Sequence, residues 1–221
     1  MADDPEMMPP DPGEGPSLRG RLLVASPRLS DPNFERTVVI VLEHAAEGAL
    51  GLVLNRPIET PVKEILAPWH PVAECAPPAL VFRGGPVAPN AVIGLVRVEG
   101  VAEHEGQLGS SGMPDTALAA EVERWLAGWR PVVGNVATID LSIPPAECGR
   151  PLSGARLFSG YAGWGSEQLE GEIAEGAWFV VDAIPDDTMT SDPGGLWHAV
   201  LRRQHGPLAI LGSYPPHPWV N

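Results

Sequence analysis

The chain has 221 residues and a formal net charge of −14, and its 44% hydrophobic and 19% charged residues are ordinary for a globular domain. This composition excludes a collagen-like or wholly disordered chain, and the acidity disfavours proteins that attract phosphate backbones. The 26 prolines and 25 glycines favour many short elements joined by tight connections.

The first 17 residues differ from the rest of the chain. They hold five acidic residues and neither Lys nor Arg, so they contribute −5 of the −14 and leave −9 on residues 18–221. They are also rich in Pro and Gly and cannot bury a hydrophobic face. We therefore expect a disordered acidic tail at 1–17 and a single domain at 18–221.

The cysteines and the N-terminus bear on the compartment. Cys75 and Cys148 are too few to form a disulfide framework and favour a reducing environment. Residues 1–17 lack the basic start and apolar core of a secretion signal, and no apolar run approaches the roughly 18 residues of a membrane span. We expect a cytoplasmic protein with no membrane segment.

The N-terminal half reads as a series of short strands. Arg21 and the four apolar residues up to Ala25 predict a strand that is closed by Ser-Pro. The β-branched run at 36–43 is too apolar for one exposed face, which predicts a central strand. A strand at 49–54 would complete a hairpin with it, and Thr60-Pro61 predicts a helix at 62–69. Further strands are expected at 79–82 and 91–98, separated by a sharp Gly-Gly-Pro turn.

The C-terminal half interleaves helices with strands. Residues 114–129 carry a continuous apolar stripe at helical spacing, and Asp192-Pro193 predicts the start of a helix at 194–204 with Leu196, Val200 and Leu201 facing inward. We also expect a helix at 166–174, a tight turn at 160–165, and strands at 132–141, 156–159 and 177–183. Strands first and helices irregularly later favour an α+β fold.

The familiar catalytic and cofactor signatures are missing from the sequence. It contains no P-loop, no serine nucleophile elbow and no paired histidines with a glutamate at helical spacing. The six histidines have no metal-ligand spacing with each other or with the cysteines. We expect no catalytic centre, metal or cofactor, and two inert cysteines.

Polar residues recur where the predicted strands end. Such ends meet at the rim of a sheet, where binding sites often form, although polar side chains there can equally hold loops in place. The candidate ligand-binding residues at this rim are Arg36, Glu43, His44, Asn55, Arg83, Gly84 and Gly85. Arg56, Asp31 and Asn33 belong to the same set of strand-end polar residues.

Three blocks of sequence resemble the YqgE/AlgH family of bacterial proteins. They are residues 20–57, GRLLVASPRLSDPNFERTVVIVLEHAAEGALGLVLNRP, then RGGPV at 83–87, and GYAGWGSEQLEGEI at 160–173 with the nearby Trp178. The resemblance implies a mixed, bifurcated β-sheet folded into a pseudo-barrel with flanking helices, and it implies no activity or cofactor. This chain has Glu167 where relatives commonly have Gly, and Gly176-Ala177 where an Asn commonly precedes the Trp.

The sequence leaves three functions open. The favoured one is a non-catalytic binding or regulatory module for an unknown protein or small-molecule partner. An enzyme using Glu43, His44 and Arg83 is the alternative, and it requires these groups to share one cleft. A direct DNA-binding regulator, a label that some family members carry from a genetic association, is disfavoured because the domain is acidic and has no basic patch.

Overall fold

A computed structural model describes residues 17–100 and 129–213. The predicted tail at 1–17 and helix at 114–129 therefore lie outside the described residues, except for Ser17 and Trp129. Trp129 begins a strand rather than ending a helix.

The described residues form ten strands, six short helices and two 3₁₀ turns. The strands are β1 Arg21–Ala25, β2 Val38–Ala45, β3 Gly48–Val53, β4 Pro57–Pro61, β5 Leu80–Arg83, β6 Val87–Val98, β7 Trp129–Val133, β8 Val136–Ile139, β9 Leu152–Gly165 and β10 Trp178–Asp182. The helices are α1 Val62–Ile65, α2 His70–Glu74, α3 Gln168–Ala174, α4 Pro185–Thr188, α5 Leu196–Arg202 and α6 Pro207–Leu211. The 3₁₀ turns are Ala67–Trp69 and Pro145–Glu147.

One curled, mixed sheet contains all ten strands, and it branches at β9. The main path is β10-β1-β2-β3-β9-β6-β8-β7, and β4 and β5 form a branch. The later part of β9 pairs with β3, whereas Leu157–Ser159 of the same strand pairs with β5 in the only parallel register among these strands. The α+β, bifurcated pseudo-barrel fold expected from the sequence is confirmed.

β2 lies at the centre of the core. Val38, Ile40 and Leu42 face one hydrophobic cluster, and Val39 and Val41 face another on the opposite side of the sheet. Burying each such side chain contributes about 1.5–3 kcal/mol. The predicted central strand, covered on both faces, is confirmed.

Two helices cover these faces. α5 packs Leu196, Val200 and Leu201 into the first cluster, as the sequence predicts, and Asp192 Oδ1 accepts the Gly195 N–H at 3.0 Å at its start. α3 packs Leu169 into the second cluster. The helices are short because their stability comes from packing on the sheet.

Proline divides the predicted helix at 62–69. α1 ends at Ile65, and Pro68 and Pro71 each occupy the first turn of a new helical segment. A proline lacks the N–H that would continue the preceding turn, but its fixed φ suits the start of the next one. The expectation of one continuous helix at 62–69 is wrong, and β4, which precedes α1, was not predicted.

Two predictions in the C-terminal half are also wrong. The single strand expected at 132–141 is the β7–β8 hairpin, which turns at Gly134 with φ +52°. The tight turn expected at 160–165 is the continuation of β9, although Trp164 is buried as anticipated. A Cβ on Gly160 would lie 2.7 Å from the carbonyl oxygen of Gly85, so glycine is needed for close backbone approach.

A buried guanidinium ties the middle of β9 to two loops. Arg156 is 1% exposed and stacks over the Phe82 ring at 4.4 Å. It donates hydrogen bonds to the carbonyl oxygens of Ala76, Pro77, Thr188 and Thr190. Burial, with a smaller contribution from Arg97, lowers the pKa of Arg156 to about 10, so the group stays charged at neutral pH.

Replacing this guanidinium should destabilise the fold. In Arg156→Met, the four carbonyl groups lose their donor inside the protein, and we expect the free energy of unfolding to fall by about 2–3 kcal/mol. Urea denaturation followed by circular dichroism measures the change. The matched control is Arg21→Met, which removes a surface ion pair with Asp182 and should cost less than about 1 kcal/mol. Equal effects of the two substitutions would contradict this role for Arg156.

Glu167 adopts a conformation that favours glycine. Its φ of +60° and ψ of 0° are left-handed, and its side chain is exposed. The family resemblance noted in the sequence implies a Gly at this position. A left-handed non-glycine residue costs about 1–2 kcal/mol, partly offset because it restricts the unfolded chain more than glycine does.

Substituting glycine here should therefore stabilise the protein. We expect Glu167→Gly to raise the free energy of unfolding by up to about 1 kcal/mol and to increase the Tm by a few degrees. Differential scanning calorimetry measures the shift. Glu175→Gly, in which a nearby acid with φ −74° is replaced, should lower the Tm instead. A drop in Tm for Glu167→Gly would contradict the strain argument.

Candidate functional site

The structure separates the strand-end residues into two groups. Arg36 and Asn55 lie where β2 begins and β3 ends, while Glu43 and His44 lie at the opposite end of the same hairpin. His44 pairs with Ala49, and the stretch of β3 from Ala49 to Val53 spans about 13 Å. The expectation of one shared rim is corrected, because the two ends of a hairpin project in opposite directions.

At the turn end of the β2–β3 hairpin, His44 has hydrogen bonds at both ring nitrogens. Its Nδ1 accepts the Leu18 N–H at 3.1 Å, and its Nε2 lies 2.6 Å from Glu170 Oε1. Glu43 forms an ion pair with Arg130. These contacts hold the start of the domain and α3 against the sheet, and they place Glu43 and His44 away from Arg83.

The Glu170 carboxylate gives this end a pH dependence. A hydrogen bond from its own backbone N–H lowers the pKa of Glu170. Burial opposes this effect, and the hydrogen bond and charge of His44 lower the pKa further. A carboxylate with a lowered folded-state pKa stabilises the fold above its unfolded-state pKa, and the stabilisation is lost as the pH falls through the folded-state value.

We expect Glu170→Gln to lower the Tm slightly at neutral pH and to have no effect well below pH ~4, where the wild-type carboxylate is protonated. Thermal melts of both proteins across this pH range measure the difference. The control Glu175→Gln, for which no ion pair is recorded among the described residues, should show no comparable trend. A Glu170→Gln effect that grows towards acidic pH would contradict the assignment.

At the open end of the hairpin, the Asn55 side chain connects the end of β3 to the start of β2. It is 5% exposed, its Oδ1 accepts the Val38 N–H at 3.1 Å, and its Nδ2 donates to the Arg36 carbonyl oxygen at 2.9 Å. The Arg36 guanidinium lies over the Trp197 ring, 5.7 Å from its centroid, and Arg36 has a left-handed φ of +52°. Both residues hold the backbone in place, and neither lines the cleft described next.

Gly84 and Gly85 lie where the sheet branches. Gly84 donates its N–H to Ser159 and accepts the Val53 N–H, so it joins β3 to β9. A Cβ would approach within 2.2 Å of the Gly160 carbonyl oxygen at Gly84 and of the Tyr161 carbonyl carbon at Gly85. The double glycine is therefore required for backbone contact, and it fixes the residue before it, Arg83, at the surface.

Arg83 lies beside Arg56 because β4 pairs with β5. Pro57 is opposite Phe82, and the Arg83 N–H donates to the Arg56 carbonyl oxygen at 2.8 Å. Burial lowers the pKa of Arg56; the Glu35 carboxylate opposes this effect, and the positive charge of Arg83 adds to it. The two cations are thus close enough to repel each other.

These two arginines line a cleft of about 220 Å³. The remaining lining residues are mainly apolar: Pro32, Asn33, Val53, Pro57, Ile58 and Gly85. The cleft continues past Arg83 into a second groove bounded by Pro86, Pro89 and Ser159. A concave surface of apolar residues with a few convergent polar groups is the usual form of a ligand site.

The two guanidinium groups differ in their partners. Arg56 donates to the carbonyl oxygen of Glu35. Across residues 17–100 and 129–213, no side-chain hydrogen bond or ion pair is recorded for Arg83. Arg83 is therefore the cation in this cleft that is available to a ligand.

Of the candidate ligand-binding residues predicted from the sequence, Arg83 and Gly85 line this cleft. Arg56 and Asn33, which belonged to the wider set of strand-end polar residues, line it as well, whereas Ile58 and Ser159 were not predicted. Arg56 stood among the strand-end polar residues, but nothing in the local sequence pairs it with Arg83, which is 27 positions away. A prediction of strand β4 and of its pairing with β5 would have placed Arg56 beside Arg83.

Metal ligands, membrane helices and reactive thiols provide no stronger candidate site among the described residues. Within the described ranges, no group of three or more His, Cys, Asp or Glu residues could hold a metal ion, and no helix there is long and apolar enough to cross a membrane. Both cysteines are free thiols. Burial, followed by Glu147, raises the pKa of the Cys148 thiol, which makes it a weaker nucleophile at neutral pH.

Known proteins resemble this chain in sequence and in fold. A model of the AlgH-like family matches residues 22–209. The chain belongs to the AlgH-like family. A UPF0301 protein of Streptomyces coelicolor is 45% identical over 205 residues, covering 93% of this chain and 96% of the relative. A UPF0301 protein of Mycobacterium tuberculosis is 37% identical over 196 residues, covering 89% and 87%.

Two solved structures share the fold of this chain. A crystal structure of a Corynebacterium diphtheriae protein has a TM-score of 0.73 and 27% identity, covering 91% of this chain and 94% of that chain. The solution structure of AlgH from Pseudomonas aeruginosa has a TM-score of 0.56 and 26% identity, covering 96% and 100%. These AlgH-like relatives are bacterial, and their names state no ligand or reaction.

Proposed function

We propose that this AlgH-like protein is a non-catalytic binding module that holds an anionic ligand in the cleft between Arg56 and Arg83. The observation that carries the proposal is the convergence of two guanidinium groups on one cleft, with Arg83 lacking a carboxylate partner among the described residues. An oxyanion that binds between the two guanidinium groups reduces the repulsion between their like charges. Arginine suits this role because its planar fork matches carboxylate and phosphate oxygens.

The lining supports binding rather than catalysis. The residues around the cleft and its continuation include no Asp, Glu, His, Cys or Lys that could act as a general acid, base or nucleophile. The Ser159 hydroxyl donates to the Pro89 carbonyl oxygen. The enzyme alternative built on Glu43, His44 and Arg83 loses its support, because Glu43 and His44 lie at the other end of the β2–β3 hairpin.

The charge distribution disfavours a nucleic acid as the ligand. Two arginines neutralise about two phosphates, whereas nucleic-acid affinity grows with many such contacts. The net charge of −14 repels the rest of a polyanion. A small anionic group is therefore the better fit, and the two free thiols favour the cytosol as the place where the module works.

Titration with simple anions tests the proposal. Inorganic phosphate and glutarate are added separately to the full-length protein at constant ionic strength, and the Tm is followed by differential scanning fluorimetry. At ten times the Kd, a bound anion stabilises the folded state by about 1.4 kcal/mol. We expect at least one anion to raise the Tm of the wild type and of the control Arg202→Gln, which removes an exposed charge outside the cleft.

Arg83→Gln should abolish the anion-dependent rise, and Arg56→Gln should reduce it. Arg83 is exposed, so its substitution should leave the Tm without added anion within about a degree. No anion-dependent rise in the wild type, or a rise that persists in Arg83→Gln, would refute the cleft as the binding site.

A further inference from the structure

A ribbon of chain next to the cleft leaves the β9 ladder. β6 is paired with β9 at Val87–Tyr161 and again at Val92–Ser159, but between these points β6 advances five residues and β9 only two. Residues 88–91 therefore have no partner residue in β9. Ala88, with a left-handed φ of +46°, turns the chain out of the ladder.

This ribbon, Val87–Val92, is exposed and mostly apolar. Val87 and Val92 are 37% and 39% exposed, and every residue between them is exposed as well. Asn90 is its only polar residue. Ala88 is left-handed, Pro89 has no N–H, and the Pro89 carbonyl oxygen accepts the Ser159 hydroxyl. The backbone groups of the ribbon that can pair with another extended chain are therefore those of Asn90 and Ala91.

The ribbon and the two-arginine cleft form one continuous surface. Pro89 of the ribbon and the adjoining Pro86 bound the groove that also contains Arg83, Ile58 and Ser159. This groove has a volume of about 400 Å³. A single occupant can therefore place an anionic group at the arginines and lie along the ribbon.

We propose that the occupant is an extended segment of a partner protein that carries one or two carboxylate side chains between apolar residues. This inference rests on the proposed function and specifies its ligand class. The carboxylate pairs with Arg83 and Arg56, and the neighbouring apolar side chains pack on Val87, Val92 and the prolines. The segment backbone pairs with Asn90 and Ala91. Such strand addition gives affinity through the main chain and specificity through alternate side chains.

The charges limit the composition of the segment. A run of many acidic residues is repelled by the net charge of −14 and finds only two arginines in the cleft. A basic segment is repelled by those arginines. One or two carboxylates in an otherwise neutral, β-prone segment satisfy both conditions.

Labelled peptides test this proposal on the full-length protein. The probe is a short end-blocked peptide in which valine alternates with aspartate at its centre, flanked by Gly-Ser, and binding is measured by fluorescence anisotropy. Three matched peptides replace the aspartates with asparagine, replace the valines with serine, or methylate alternate backbone nitrogens. We expect each change to weaken binding by about tenfold or more, because each removes one of the three kinds of contact.

Protein variants give the reciprocal measurement. Arg83→Gln should weaken the binding of the parent peptide about tenfold and leave that of the asparagine peptide unchanged, whereas Arg202→Gln should alter neither. Val92→Thr, an exposed substitution on the ribbon, should weaken the parent peptide by a few fold while anion binding stays unchanged.

The outcomes separate this inference from the proposed function. If phosphate or glutarate binds in an Arg83-dependent way but the parent peptide does not, the ligand is a small anion and the peptide inference is overturned. If the backbone-methylated peptide binds as well as the parent, strand addition is overturned. If neither peptide nor anion binds, both proposals fail.

Discussion

The branch point in β9 is the constraint on which the rest of this fold depends. One strand serves β3, β5 and β6, so its side chains face neighbours that lie in different directions. Backbones must approach closely where the partners change, and this is why glycines meet there: Gly84 and Gly85 contact Gly160 and Tyr161. Inside the fold, the Arg156 guanidinium binds carbonyl groups of Ala76 and Pro77, of Thr188 at the end of α4, and of Thr190 just after it.

Local sequence patterns predicted the elements whose stability is local or strongly patterned. The β-branched runs of β1 and β2 and the apolar stripe of α5 are examples, because burial on one or two faces leaves a periodic trace. β4 and the second half of β9 could not be predicted in this way. Pro57, Pro61 and the glycines of β9 are read as breaks in isolation, and only partners distant in the chain make them strand residues.

The candidate site was predictable to a similar extent. Strand-end position identified Arg83 and the double glycine, but it also grouped them with Glu43 and His44, which lie at the opposite end of a hairpin. Spacing along the chain cannot say which end of a hairpin a residue occupies until the pairing is known. The neighbour that matters, Arg56, is placed by the β4–β5 register, so the site became visible only with the topology.

The hydrogen bonds of the Asn55 side chain bear on the rate at which a ligand can bind in the cleft. The Asn55 amide ties the chain between Val53 and Arg56, two residues that line the cleft, to the backbone of Arg36 and Val38, so this side of the cleft is held in place before a ligand arrives. Little ordering entropy remains to be lost on that side, and association need not wait for a rearrangement of the protein. Differences in residence time among ligands should then reflect their contacts with the two arginines and with the ribbon.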